Sequence, residues 1–166
     1  MDRAALKSGL TAGKRGNRGP DAKRIGAAWA STYPARMHCM QAAGVAIRER
    51  QYGRIVNIRS ISSLGSVGGA SYGAAKGAIE AMSRAAAIEW APRGITVNCV
   101  APRLIAASMT LGVPKDCREA GVARTPMERN GTPEEVAYAI AFFTSPRASV
   151  VTGQALFVCG GLSIGF

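Results

Sequence analysis

Three short apolar segments, separated by longer helical patterns, place the strongest constraint on the fold of this chain. The segments 54–59, 94–101 and 155–159 have the length and apolar centres of buried strands. The intervals hold helical patterns, because apolar residues recur every three or four positions over 72–91 and 133–144. Strands that alternate with helices favour a parallel sheet covered by helices. The sequence therefore predicts an α/β fold.

Particular residues mark where the helices begin and end. Thr132 can serve as N-cap of the last helix, and Glu135 completes a capping box with it. The stretch 92–94, Pro-Arg-Gly, ends the middle helix. On that helix, Glu80 and Arg84 are predicted to form a pair on the solvent side. A further helix is predicted from about residue 35 to residue 50.

A tyrosine and a lysine, Tyr72 and Lys76, lie four residues apart at the start of the middle helix. A helix places both side chains on one face, one turn apart. A cation beside a tyrosine favours the phenolate and lowers the tyrosine pKa from about 10. A tyrosine of this kind can donate or accept protons near neutral pH. On the pair alone, the simpler interpretation is favoured: a helix-start tyrosine packed against the sheet.

Other motifs accompany this pair in a definite order along the chain. They are Asn57-Ile58-Arg59-Ser60, Gly94-Ile95-Thr96-Val97-Asn98-Cys99-Val100-Ala101-Pro102, Pro126 to Glu135, and Thr152 to Gly161. The series resembles the C-terminal half of the short-chain dehydrogenase/reductase family, which includes 3-oxoacyl-carrier-protein reductases. The resemblance extends from about residue 37 to the C-terminus. It implies an NAD(P)-dependent oxidoreductase that interconverts a carbonyl and an alcohol by hydride transfer.

The resemblance also implies a catalytic role for three side chains. Tyr72 would be the general acid for carbonyl reduction or the general base for alcohol oxidation. Lys76 would lower the pKa of Tyr72 and contact the cofactor ribose. Ser60 would orient the substrate oxygen. It lies twelve residues before Tyr72, where the family spacing is about thirteen, and Ser62 and Ser63 match the strand motif less well.

The family resemblance implies that the turn after the second strand provides the remaining cofactor contacts. By resemblance, Pro102 and Ile105 would join Tyr72 and Lys76 in binding NAD or NADP. Within the same turn, Arg103 stands where the family has a glycine, which restricts the backbone. Three further departures from the family pattern argue against full activity: Ala107 replaces a threonine, Cys159 stands where the family often has aspartate, and no asparagine occurs near Thr32, where the family has a catalytic one.

Residues 1–33 are predicted to be a basic tail, disordered or irregular, with the half-domain covering 34–166. Seven Lys or Arg against two Asp in the first 24 residues contribute +5 of the net charge of +11. No G-x-G-x-x-G follows a strand there, so the fold is predicted to be a partial doubly wound, Rossmann-like sheet without its N-terminal nucleotide-binding strands. A join created by gene rearrangement is one alternative. Contact with nucleic acid is the least favoured, since the tail has no interleaved aromatic residues.

A catalytically silent fragment or interaction module that cannot bind dinucleotide is the alternative function. Without neighbouring strands, the segment 54–59 would be an apolar sheet edge that invites pairing. The helices near 35–50 and 72–91 commonly form the subunit interface in the family, which implies a homo-oligomer. In either case, the expected substrate class is a small-molecule carbonyl or alcohol.

Bulk properties predict one cytoplasmic domain without a membrane partner. The chain has 166 residues, lacks an apolar run of the roughly 20 residues that span a bilayer, and begins without the apolar region of a secretory signal. Its four cysteines are widely spaced and are predicted to be free thiols. The lone His38 is predicted to be structural, and no metal site is expected.

Overall fold

The computed structural model describes residues 22–66, 69–107, 110 and 112–164. Within these ranges the helices and strands alternate as the sequence predicts. In chain order they are α1 (Ala22–Glu49), β1 (Gly53–Ile58), α2 (Ala70–Trp90), β2 (Ile95–Pro102), α3 (Lys115–Ala123), α4 (Pro133–Thr144) and β3 (Ala155–Val158). None of these helices is long and apolar enough to cross a bilayer.

The strands form one parallel sheet in the order β1-β2-β3. The register aligns Ile58 with Val100 across the first pair and Pro102 with Val158 across the second. Because all three strands run in the same direction, their carboxyl ends lie at one edge of the sheet. In open parallel sheets this edge is where ligands bind. The predicted α/β architecture is confirmed.

Helices cover both faces of the sheet, as a parallel sheet requires. On one face α1 and α2 pack over β1 and β2, with a core of Met40, Ala86, Ala87, Ile95 and Val97. On the other face α4 packs against the strands, with a core of Val100, Ala139 and Phe143. The central strand β2 is buried along nearly its whole length.

A buried amide fixes the segment that leads into β3. The Asn98 side chain is 0% exposed, and its Nδ2 donates to the carbonyl of Val151 at 2.8 Å. Its Oδ1 accepts from the backbone N–H of Gln154 at 3.0 Å. The N–H of Val97 adds a hydrogen bond to Thr152 Oγ1 at 3.0 Å. These bonds position residues 151–154 before β3 begins to pair with β2.

The predicted boundary between residues 33 and 34 falls inside α1. The helix begins at Ala22 and continues through Pro34. Alanine-rich sequence favours this extension, and the rings of Trp29 and Tyr33 stack one turn apart with centroids 4.6 Å apart. The remainder of the predicted basic tail, residues 1–21, lies outside the described residues.

Candidate active site

Ser60 leaves the sheet immediately after β1. The ladder continues one residue past the strand, since the N–H of Arg59 donates to the carbonyl of Val100 at 2.9 Å. Ser60 then caps a 3₁₀ turn, Ile61–Leu64, where its Oγ accepts from the N–H of Ser62 at 3.2 Å. The residue is 9% exposed. Its hydroxyl is thus held at the ligand-binding edge of the sheet.

The first turns of α2 bring Tyr72 and Lys76 to the same place. Lys76 is 6% exposed, and its Nζ donates to the carbonyl of Ile58 at 3.1 Å. The same Nζ lies 5.6 Å from the centroid of the Tyr72 ring. Tyr72 is half-buried, and the Ser60 side chain lies close enough to its hydroxyl to influence the Tyr72 pKa. The three predicted catalytic side chains therefore converge at the end of β1.

The pKa of Tyr72 differs from the value expected from the sequence, and the pKa of Lys76 is also shifted. Burial raises the pKa of Tyr72, against smaller lowering effects of the Ser60 hydrogen bond and the charge of Arg36. Burial, with a smaller effect of Arg36, lowers the pKa of Lys76 from 10.5 to about 8. The prediction of a lowered Tyr72 pKa is therefore wrong for the chain without ligands. The reason is that the loss of hydration outweighs the nearby positive charge.

Gly73 allows α2 to approach the Ser60 turn. A Cβ at this position would lie 2.6 Å from the carbonyl oxygen of Ser62, a distance that backbone atoms cannot accommodate without moving. Gly77, one turn later, has room, because its Cβ would lie 4.0 Å from Ser63 Cβ. The short contact at Gly73 therefore sets the distance between the serine turn and Tyr72.

The predicted cofactor residues Pro102 and Ile105 lie at the same edge of the sheet. Pro102 ends β2, and Ile105 forms a parallel bridge with Gly131. This bridge is closed by hydrogen bonds from the N–H of Ala106 to the carbonyl of Gly131 and from the N–H of Gly131 to the carbonyl of Leu104, at 2.8 and 2.9 Å. Both predicted residues are half-buried. The turn is thus held against the segment that precedes α4.

Most of the chain matches a known protein family in sequence. The family described as Enoyl-(Acyl carrier protein) reductase matches residues 23–163. The 3-oxoacyl-[acyl-carrier-protein] reductase FabG of Rickettsia prowazekii is 46% identical over 115 residues, which are 69% of this chain and 48% of the relative. The chain belongs to the short-chain dehydrogenase/reductase family. It spans about half the length of the curated relatives it matches.

Solved structures of short-chain dehydrogenases/reductases share the fold. A 3-oxoacyl-[acyl-carrier protein] reductase from Brucella melitensis is 36% identical with a TM-score of 0.73, and the match covers 76% of this chain and 48% of that one. YwfH, an NADPH dependent reductase involved in bacilysin biosynthesis, is 26% identical with a TM-score of 0.78, and the match covers 87% and 60%. The predicted family and the partial Rossmann-like fold are confirmed.

A buried ion pair, which the sequence analysis missed, anchors the Ser60 turn of this short-chain dehydrogenase/reductase to α2. Arg59 is 2% exposed and pairs with Glu80, one turn beyond Lys76. Its guanidinium also donates to Ser63 Oγ and lies 4.9 Å from the centroid of the Phe157 ring. The predicted pair of Glu80 with Arg84 forms at 2.7 Å, but Glu80 is not on the solvent side, since its other oxygen faces Arg59.

Arg36 is a second residue that the sequence analysis missed. It is half-buried on α1, and its Nη1 donates to the carbonyl of Thr32 at 2.9 Å. Thr32 lies near the position where the family resemblance implies an asparagine, and here an arginine binds the backbone of that turn. Positions 36 and 40 share a helix face, and Met40 is buried. This spacing was the signal that Arg36 faces α2.

We expect Gly73→Ala to separate the Ser60 turn from Tyr72. The added methyl group must displace the Ser62 backbone, which costs about 1–3 kcal/mol and exceeds the 0.5–1 kcal/mol that alanine usually adds in a helix. Gly77→Ala is the matched control and should raise stability by about 0.5–1 kcal/mol. Urea unfolding of both variants measures the difference. Equal stability changes in the two variants would show that the contact at Gly73 is unimportant.

Lys76 should give the free energy of unfolding a specific pH dependence. Its pKa is about 8 in the folded chain, against about 10.4 for an unfolded lysine. Between these values the unfolded chain binds more protons, so stability rises as the pH rises. We expect Lys76 to contribute a gain of about 2 kcal/mol between pH 8 and about pH 10. Urea unfolding of the wild type and Lys76→Met measures this gain, and parallel pH profiles would contradict it.

Proposed function

We propose that this chain supplies the acid–base centre of an NAD(P)-dependent oxidoreductase that interconverts a carbonyl and an alcohol. One observation carries the proposal: the Ser60 and Tyr72 hydroxyls meet beside the buried Lys76 at the carboxyl end of β1. Residues of these types, two hydroxyls and a cation, can bind and protonate a carbonyl oxygen. The names of the reductases that the chain resembles support the same reaction class.

Each side chain has a separate task in this mechanism. Ser60 Oγ donates a hydrogen bond that orients the carbonyl oxygen. The Tyr72 hydroxyl keeps its proton at neutral pH, because burial raises its pKa, and it donates that proton as negative charge develops on the substrate oxygen. The Lys76 ammonium then lies close to the phenolate that remains, which lowers the energy of the charged state. In the oxidation direction Tyr72 must first lose its proton, so that direction is favoured at high pH.

The described residues fit one end of a nicotinamide dinucleotide. Tyr72, Lys76, Pro102 and Ile105 follow β1 and β2 at the carboxyl edge of the sheet, where they would hold the nicotinamide and its ribose. No G-x-G-x-x-G sequence follows a strand among the described residues, so the glycine-rich turn that binds the pyrophosphate in dinucleotide-binding folds is not among them. The bound dinucleotide supplies the hydride acceptor or donor. The protein residues above hold it in place and control the proton.

Titration of the full chain with NADH and NADPH tests the proposal. Saturable binding, followed by nicotinamide fluorescence and by a rise in melting temperature, is the expected result. The affinity should fall in Lys76→Met but stay unchanged in Lys115→Met, a control on the exposed start of α3. A well-folded sample that binds neither nucleotide would overturn the proposal.

An interaction module is the second candidate, and the outer edge of β1 favours it. Among the described residues, β1 pairs only with β2, so one side of its backbone has no partner strand. We propose that in this case the chain associates with another copy or another chain through this region. Light scattering over a range of concentrations measures the association. A monomer that binds dinucleotide would exclude this candidate and leave the reductase.

A further inference from the structure

A cavity lies at the carboxyl ends of β2 and β3, and the side chains of the acid–base centre do not line it. Its volume is about 340 Å³, and it is lined by residues that include Arg103, Thr125, Arg129, Glu135, Cys159 and Gly160. Ser60, Tyr72 and Lys76 are not among its lining residues. The cavity is therefore a distinct place at which a small molecule could bind.

The carboxylate of Glu135, which lines this cavity, already has hydrogen-bond partners. Arg129 binds Glu135 through two parallel hydrogen bonds of 2.6 and 3.0 Å. Glu135 Oε2 also accepts from the N–H of Thr132 at 2.8 Å as part of the α4 capping box. These bonds occupy three of the roughly four acceptor sites of the Glu135 carboxylate. The charges of Arg129 and Glu135 thus largely balance each other.

Arg103, in contrast, has no anionic partner among the described residues. None of the ion pairs formed there includes it, and its Nε is buried without a hydrogen-bond acceptor. The side chain lies against α3, because a Cβ at Gly121 would be 3.6 Å from Arg103 Nη2. Burial, with the nearby charge of Arg124, lowers the Arg103 pKa. Cys159 has a smaller opposing effect on that pKa, and no carboxylate of the described residues forms an ion pair with Arg103.

A guanidinium in such a position normally has a partner. Removing part of its hydration costs free energy, and paired oxygen acceptors restore it. Its planar fork matches two oxygens of a carboxylate or phosphate better than any other side chain does.

We propose that Arg103 is the anion-binding residue of this cavity and that it binds the carboxylate or phosphate group of a small-molecule ligand. The ligand oxygens would accept from the guanidinium. Arg124 adds long-range attraction for the same anion. This proposal does not depend on the reductase activity, because its test measures binding rather than turnover.

Isothermal titration of the full chain with succinate and, separately, with inorganic pyrophosphate tests the site at constant ionic strength. We expect saturable binding of at least one probe by the wild type, and the probe that binds more tightly distinguishes a carboxylate site from a phosphate site. Arg103→Met should weaken binding at least tenfold. Arg103→Lys should cause a smaller loss, because it keeps the charge but not the fork.

Arg147→Met is the matched control, since it removes one positive charge from an exposed turn that follows α4. Its affinity for both probes should equal that of the wild type. Thermal unfolding establishes that each variant is folded before titration. Equal affinities in the Arg103 and Arg147 variants, or the absence of saturable binding of either probe by the folded wild type, would overturn the proposal.

Discussion

Glu80→Leu is expected to lower the free energy of unfolding by about 3–5 kcal/mol, the largest stability effect that we predict for a single substitution. The change leaves the Arg59 guanidinium buried without its carboxylate, and Arg59 is only 2% exposed. Burial already lowers the Arg59 pKa despite the opposing charge of Glu80. Urea unfolding, followed by circular dichroism, measures the loss.

Two variants separate this buried pair from the exposed pair that shares Glu80. Arg84 is mostly exposed, so Arg84→Met should cost less than about 1 kcal/mol. The double variant Arg59→Met/Glu80→Leu should recover much of the lost stability, because it leaves no uncompensated charge in the interior. If Glu80→Leu costs no more than Arg84→Met, the buried pair does not anchor the Ser60 turn.

Tyr72→Phe should reduce hydride transfer by about 10²–10⁴-fold, the range that general acid–base catalysis usually contributes. The substitution removes the hydroxyl but keeps the ring, so the packing of α2 should change little. Single-turnover oxidation of NADH or NADPH with a 3-oxoacyl thioester as carbonyl probe measures the effect. This prediction depends on the proposed reductase function.

Tyr138→Phe is the matched control, because Tyr138 is 76% exposed on α4. It should leave both binding and turnover unchanged. A Tyr72→Phe variant that retains full turnover would show that another group provides the proton. Dinucleotide binding without turnover in the wild type would instead contradict the reductase proposal itself.

Local sequence rules predict the helix ends and the alternation of elements well. The capping box at the start of α4 is present with both of its reciprocal bonds, as Thr132 and Glu135 predict. Gly94 adopts a φ of 68° after the turn that ends α2, a conformation that glycine tolerates. Such features depend on neighbouring residues only. They can therefore be inferred from the sequence without knowledge of the packing.

Features that depend on packing could not be inferred in the same way. Arg59 and Glu80 are far apart in the sequence, and each alone resembles an ordinary surface charge. The pKa of Tyr72 depends on how much water burial removes, which spacing along a helix does not determine. The start of α1 was missed because the basic residues around Lys23 indicated a solvated tail, whereas the alanines between them favour a helix.

The buried amide of Asn98 favours a single register of β3 against β2, because its two backbone hydrogen bonds form only in that register. A slip of one residue would move β3 by about 3.3 Å along β2 and turn its side chains to the opposite faces. It would also strip Asn98 of both backbone partners in the interior, where an unsatisfied amide is costly. Since β3 leads directly into Cys159 and Gly160, a misaligned chain would lose the anion cavity together with its core packing. The cavity proposed to bind an anion is therefore complete only when Asn98 holds β3 in the correct register.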